Sequence, residues 1–313
     1  MENLQPRIEF YRQRSFSEKM NVVFQFIREI WKPLLKYVFY LIMPVCLIQT
    51  FAMNSIMTVT FSALLQSTGN DLFANSMVTI LGSYGTFLFC YMIGSGILTG
   101  LIYAMMQTYA VRENRLQNVT LNDFRDLLVK NAWKYLRLIL VIVFLFILIV
   151  LIMSFLVSYV SAWTLAVSIP ILLVAVLCLI PLLLLIPVYI FERDITFVNA
   201  IRKGWKLGIA TLGGMLGFML ILYIIAYVIQ TVTMLPWYLL LMVGNLFSVA
   251  SESAMNQSVI YKFALYILGL IQSFGSYVAS IIGIIGLAFQ YFHAREKVEG
   301  VTIESNISNF SNL

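Results

Sequence analysis

Residues 138–160 have the sequence LILVIVFLFILIVLIMSFLVSYV, and none of these side chains is charged. A helix of about 20 apolar residues crosses the hydrocarbon core of a bilayer, which is about 30 Å thick, because each residue rises about 1.5 Å. A run this long and this apolar is typical of a membrane-spanning helix and not of a core helix in a soluble domain. We therefore expect at least one transmembrane helix in this chain.

The composition extends this expectation to the whole chain. Of its 313 residues, 61% are hydrophobic and only 11% are charged, whereas a typical soluble domain carries about 25% charged residues. Prolines such as Pro44 and Pro170 predict kinks within spans, because neighbouring helices can satisfy the freed backbone groups. The predicted fold is an all-α transmembrane helical bundle in one integral membrane domain, 1–299, followed by a flexible tail, 300–313. Its six spans are residues 34–60, 79–110, 136–160, 165–191, 207–234 and 263–292.

The distribution of basic residues predicts the orientation. Lys and Arg are retained on the cytoplasmic side during insertion, whereas Asp and Glu count for little. Of the 20 Lys and Arg residues, only Lys262 falls in a loop that the six-span model assigns to the outside. Both termini should therefore be cytoplasmic. The net charge of +6 favours contact with anionic lipid headgroups over binding to nucleic acid.

Three cytoplasmic stretches share one pattern around a tryptophan: IREIWK at 27–32, VKNAWK at 129–134 and IRKGWK at 201–206. We call them the Trp–Lys segments. Each has a basic residue three positions before Trp and a Lys directly after it. An indole ring with its N–H suits the headgroup layer, and a lysine beside it can reach phosphates. The predicted interface anchors are Arg28, Trp31, Lys32, Lys130, Trp133, Lys134, Arg202, Trp205 and Lys206.

An amphipathic interfacial helix is expected to carry each Trp–Lys segment. In the first copy an apolar face formed by Met20, Val23, Phe24, Ile27 and Trp31 is predicted, with Lys19 on the polar side. Helix starts are predicted at the capping pairs Ser15 with Glu18 and Thr120 with Asp123, and at Asp194. The three units would cover about 15–111, 120–191 and 194–293. Because Trp and Lys flank many spans, three similar sites can also arise without repetition.

Apart from Lys36 and Arg137 at their cytoplasmic ends, the predicted spans lack charged side chains, which disfavours a coupled transporter that relies on intramembrane carboxylates. Amides remain, and Gln107, Gln230 and Gln272 form the candidate intramembrane polar site. The alternative for these amides, and for others such as Gln49 and Gln290, is hydrogen bonding between helices. Small residues predict close helix packing within the bundle or between copies of the chain. They are Gly96, Gly100, Gly213, Gly217, Gly283 and Gly286.

Catalytic and metal-binding motifs are missing from the sequence. The single histidine, His293, is expected to be an interfacial polar cap, and no HExxH, GxSxG or P-loop motif occurs. For Glu192 and Asp194 we prefer helix capping and local salt bridging with Arg193 over an acid pair for catalysis. No enzyme activity, cofactor or metal is therefore expected. Residues 236–247 are apolar but short, and predict a separate outer interfacial or re-entrant helix.

At Pro187, Glu192 and the stretch AIRKGWKL at 200–207, the chain resembles a group of bacterial membrane proteins. The group includes the membrane domain fused to some glycerophosphoryl diester phosphodiesterases. The likeness covers about 191–230, and the phosphodiester chemistry of the fused relatives belongs to a separate soluble domain. The resemblance implies a multi-span scaffold in the bacterial cytoplasmic (inner) membrane, near lipid metabolism or envelope assembly, and it transfers no catalytic residue.

These features favour a non-enzymatic scaffold of the cell envelope that binds membrane lipids, a protein partner or a second copy of the chain. The alternative is a permease or exporter for an uncharged or amphiphilic solute, with a central cavity near the three glutamines. A membrane enzyme that acts on lipid is the least favoured hypothesis, because catalytic sites usually need converging titratable groups.

Overall fold

The computed structural model describes residues 7–65, 70–113, 115–117, 119–159, 180–192, 194–250 and 258–302. In these ranges the chain is almost entirely helical and contains no strand, which confirms the predicted all-α class. Two short 3-10 turns, Leu121–Asp123 and Pro181–Leu184, accompany the helices. The α-helices are α1 Phe16–Leu65, α2 Asn70–Val111, α3 Arg125–Tyr159, α4 Leu185–Phe191, α5 Phe197–Ala210, α6 Leu212–Ala250 and α7 Val259–Glu299.

Five helical segments within the described ranges are long and apolar enough to cross a membrane, which identifies the chain as a membrane protein. They overlap five of the six predicted spans, although two of them, Phe16–Thr60 and Arg125–Ile152, begin well before the predicted starts. Predicted span 165–191 lies mostly outside the described residues, and only its end is seen, as the turn at Pro181 and α4. The tail beyond Thr302 also lies outside them. The five segments are Phe16–Thr60, Val78–Val111, Arg125–Ile152, Leu212–Gly244 and Val259–Glu299.

Helix α1 begins at the predicted capping box. The backbone N–H of Ser15 donates to the Glu18 carboxylate at 2.6 Å, and the N–H of Glu18 donates to Ser15 Oγ at 3.4 Å. These bonds satisfy two donors that a helix start leaves without partners. The helix then runs unbroken through Trp31 and Pro33 to Leu65. The first Trp–Lys segment is therefore part of the spanning helix, and α3 carries the second segment in the same way.

Three sequence predictions differ from the structure: two helix starts and one separate helix. The Thr120–Asp123 box caps the 3-10 turn before α3, where the Thr120 N–H donates to the Asp123 carboxylate at 2.8 Å. This backbone bond is the main reason that the pKa of Asp123 lies below its ordinary value. Thr196, and not Asp194, is the N-cap of α5, because Asp194 has a left-handed φ of 59° in the preceding turn. No separate helix covers 236–247, because α6 continues through Pro236.

The chain divides into two compact units, which we describe separately. The first unit comprises Met1–Trp31, Thr99–Leu222 and Gly283–Leu313, and the second comprises Lys32–Leu98 and Tyr223–Ile282. These boundaries do not coincide with those of the three predicted repeats. The single integral domain and the repeat therefore stay predictions.

In the first unit, residues 7–15 form a segment that precedes α1 and is fixed by aromatic contacts. The ring of Phe10 stacks on Phe292, with centroids 5.1 Å apart, and meets the edges of Phe26 and Phe289. The Arg7 guanidinium donates to the carbonyl of Tyr109 at 2.6 Å, at the end of α2. A cation there offsets the negative end of the helix dipole and satisfies a terminal carbonyl.

In the second unit, polar side chains join helices that are otherwise apolar. The Tyr277 hydroxyl donates to Gln49 Oε1 at 2.7 Å, and Trp237 Nε1 donates to Asn54 Oδ1 at 2.9 Å. Trp237 is the centre of a buried cluster with Leu241 and Leu265. Each of these hydrogen bonds links α1 to a later helix, which is the role that the hydrogen-bonding alternative predicts for the amides.

Candidate functional site

All three tryptophans of the Trp–Lys segments lie on the surface. The exposed fraction is 48% for Trp31, 58% for Trp133 and 38% for Trp205, whereas Trp237 is 1% exposed. Most of the basic anchors are exposed with them, and only Lys134 is partly buried. The exposed basic anchors are Arg28, Lys32, Lys130, Arg202 and Lys206.

The buried face of α1 differs from the predicted apolar face. Val23 is buried as predicted, but Phe26 and Ile30 accompany it, whereas Phe24 and Trp31 are exposed. Lys19, predicted on the polar face, is only 3% exposed. Its ammonium donates to the buried Gln290 side chain at 2.9 Å, and this partner explains why a lysine tolerates the position. The sequence pattern could not reveal it, because Gln290 lies 271 positions away.

Two glycines that the sequence analysis overlooked bring α5 against the segment before it. A Cβ added at Gly208 would lie 2.3 Å from the Pro181 carbonyl oxygen, and one at Gly204 would lie 3.1 Å from the Leu185 backbone. The spacing of four residues between the two glycines was the available signal. This close contact positions the third Trp–Lys segment, in which Trp205 is exposed beside the buried glycines.

The predicted packing glycines have different surroundings. A Cβ at Gly100 would lie 2.8 Å from the Ala132 backbone nitrogen, and one at Gly286 would meet the Leu222 side chain. Gly96 is buried. Among the described residues, nothing lies within 4 Å of a Cβ at Gly213 or Gly283, and a Cβ at Gly217 would meet one Phe16 ring atom, at 4.0 Å. Gly100 therefore marks a backbone contact between α2 and α3.

The three predicted amides have partners in different places. Gln230 and Gln272 both donate to the Ser276 hydroxyl, at 3.5 and 3.4 Å, within the second unit. Gln107 belongs to the first unit and accepts from the Asn131 amide at 3.0 Å. The permease alternative stays a prediction.

A network of ion pairs surrounds Glu192 in the first unit. Its carboxylate pairs with Lys203 at 2.7 Å, and Lys203 also pairs with Glu299 at 2.8 Å. Arg295 pairs with Glu299 at 2.8 Å and donates to the Tyr11 hydroxyl at 3.2 Å. Burial raises the pKa of this Tyr11 phenol above its ordinary value. Glu192, which follows α4, is thus connected by ion pairs to α5 and α7. Arg193, its predicted local partner, lies outside the described residues.

His293, predicted to be an interfacial polar cap, binds the N-terminal segment. Its Nδ1 accepts from the backbone N–H of Arg14 at 3.0 Å. An accepting Nδ1 carries no proton. In this structure His293 therefore supplies an acceptor for the chain that leads into α1.

A groove of about 270 Å³ lies within the first unit, between the end of α2, the beginning of α3 and the end of α4. Its polar lining includes Lys130, Asn131 and Gln107, and Phe10, Phe191 and Phe292 supply aromatic surface. Lys134 also lines it, but its ammonium donates to the carbonyls of Tyr189, Ile190 and Glu192 at 2.8 to 3.4 Å. Lys134 therefore caps the end of α4, which leaves Lys130 as the exposed cation of the groove.

In the described part of the chain, no three His, Cys, Asp or Glu side chains lie close enough together to hold a metal ion. Comparison of the sequence with family models and with curated proteins, and of the structure with solved structures, finds no match. The functional proposal therefore depends on the geometry of this chain.

Proposed function

We propose that this chain is a non-enzymatic membrane protein of the bacterial cell envelope that binds anionic lipid headgroups through its three Trp–Lys segments. Six spans, cytoplasmic termini and a location in the inner membrane are part of the proposal. The distribution of basic residues supports the orientation, and the sequence resemblance to the membrane domain of glycerophosphoryl diester phosphodiesterases supports a role as a scaffold near lipid metabolism.

The observation that carries the proposal is the shared exposure of Trp31, Trp133 and Trp205. Indole is a large apolar ring with one N–H donor, so a tryptophan that does not pack inside the protein is well suited to the headgroup layer. The basic residue three positions before each tryptophan is exposed as well. Three such pairs at one membrane surface would attract anionic headgroups and fix the depth of the helices.

The test replaces two of these basic residues in the full chain, as Arg28→Gln together with Arg202→Gln. We expect several-fold less phosphatidylglycerol, relative to phosphatidylethanolamine, to co-purify with the variant in mild detergent, because each basic side chain near an anionic surface adds to the attraction. Lipid mass spectrometry provides the measurement.

The matched control is Lys262→Gln, which removes an exposed cation in the first turn of α7, on the side predicted to face the outside. It should leave the lipid ratio unchanged. Equal ratios in the wild type, the double variant and this control would contradict the proposal.

A further inference from the structure

We propose that the groove beside Lys130 holds one anionic phospholipid, with its phosphate at Lys130 and the start of an acyl chain on the aromatic surface. This inference rests on the proposed function and assigns a particular lipid site to it. The groove lies entirely in the first unit, and all of its lining residues are among those described.

The shape of the groove matches part of an amphiphile. Ligand pockets typically measure about 300 to 1,000 Å³, so a groove of about 270 Å³ accepts a headgroup and a few methylenes but not a complete lipid. Val111 and Lys130 are exposed at its edge, whereas Phe292 is 2% exposed within it. A molecule entering from the bilayer would therefore meet the charged edge with its headgroup and the rings with its chain.

The charges of the groove favour an anion. Lys130 and Lys134 stand four positions apart on α3, so their side chains are neighbours on one helix face and repel each other. Lys130 makes no ion pair among the described residues. The Glu192 carboxylate also lines the groove, but its charge is balanced by Lys203 at 2.7 Å and Arg295 at 3.9 Å. A phosphate beside Lys130 would supply the missing negative charge.

The side-chain amides of Asn131 and Gln107 give the groove a polar wall. Asn131 is 2% exposed, and its amide donates to Gln107 Oε1 at 3.0 Å, which links α3 to the end of α2. Trp133 is 58% exposed on the same helix, which places the groove at the level of the headgroups if the tryptophan lies there. The groove is therefore accessible to a lipid phosphate.

The experiment measures phosphatidylglycerol bound to the purified full chain by native mass spectrometry. Ala110→Trp fills the groove from an exposed lining position, and Lys130→Gln removes only the cation. We expect one retained lipid per wild-type chain, none on Ala110→Trp, and about fivefold weaker binding to Lys130→Gln. Lys262→Gln, an exposed lysine outside both the groove and the Trp–Lys segments, is the control and should bind as the wild type does.

Unchanged binding to both Lys130→Gln and a folded Ala110→Trp variant, as judged by elution volume and melting temperature, would overturn the groove assignment. The groove assignment would also be overturned if glycerol phosphate competed as well as phosphatidylglycerol does, or if phosphatidylcholine bound as tightly as phosphatidylglycerol. If only Arg28→Gln with Arg202→Gln loses lipid, the groove fails while the proposed function stands. If lipid still binds in the groove of that double variant and its co-purified lipid ratio does not change, the groove assignment stands while the proposed function fails.

Discussion

At the scale of single residues, two buried tyrosines show how the same side chain can be placed with and without a partner. Tyr277 donates its hydroxyl to Gln49 at 2.7 Å. The hydroxyl of Tyr103 on α2 is fully buried and has no hydrogen-bond partner in the described part of the chain. The ring of Tyr103 nevertheless packs on Phe191, with centroids 4.8 Å apart. A buried hydroxyl without a partner costs stability, whereas a bonded one contributes to it.

We therefore expect opposite effects when the two hydroxyls are removed. Tyr103→Phe should leave stability unchanged or raise it by up to about 1 kcal/mol, because the ring contacts stay and an unsatisfied group is lost. Tyr277→Phe should lower stability by about 1 kcal/mol, because Gln49 loses its donor. Thermal unfolding in detergent measures both. A lower melting temperature for Tyr103→Phe would show that its hydroxyl has a stabilising partner.

At the scale of helices, sequence periodicity located the elements better than their contact faces. The Trp–Lys pattern drew attention to Trp205, yet the contact of α5 is made by Gly204 and Gly208. A glycine contributes backbone and no side chain to a contact, so an analysis of apolar side chains does not register it. The continuity of α1 was missed as well. An interfacial helix separate from the span 34–60 was predicted, but a single helix runs from Phe16 to Leu65 through Pro33.

Gly208→Ala tests the close approach of α5. Its Cβ would lie 2.3 Å from the carbonyl oxygen of Pro181, and backbone cannot move aside as a flexible side chain does. We expect a loss of about 1 to 3 kcal/mol, typical of overpacking, seen as a lower melting temperature. Gly213→Ala is the matched control, because no atom in the described part of the chain lies within 4 Å of its added Cβ, and it should be neutral or slightly stabilising. Equal melting temperatures for the two variants would contradict this packing.

At the scale of the whole molecule, composition and hydropathy predicted a helical membrane protein, because hydrocarbon imposes long apolar helices on any chain that crosses it. The contacts within the first unit were not predictable in this way. The Arg14–His293 bond joins residues 279 positions apart, and neither residue carries a local signal for the other. The same holds for Lys134, whose predicted headgroup contact is replaced by three backbone carbonyls near Ile190.

The predicted topology can be tested with single cysteines in a chain whose native cysteines are replaced by Ser. Thr68→Cys lies in a loop predicted outside, and Asn122→Cys lies in the 3-10 turn predicted inside. A membrane-impermeant maleimide should label Thr68→Cys on intact cells, and Asn122→Cys only after permeabilisation, because the basic residues near Arg125 are retained inside. Labelling of both positions from the same side would refute the six-span arrangement.

The attachment of residues 7–15 to α7 has a consequence for biosynthesis. Phe10 and Arg14 find their partners at Phe292 and His293, and the ribosome adds that pair about 280 residues later. The segment before α1 must therefore wait until the intervening helices have been synthesised before it can make these contacts. A product truncated before α7 would leave Phe10 without its ring contacts to Phe289 and Phe292.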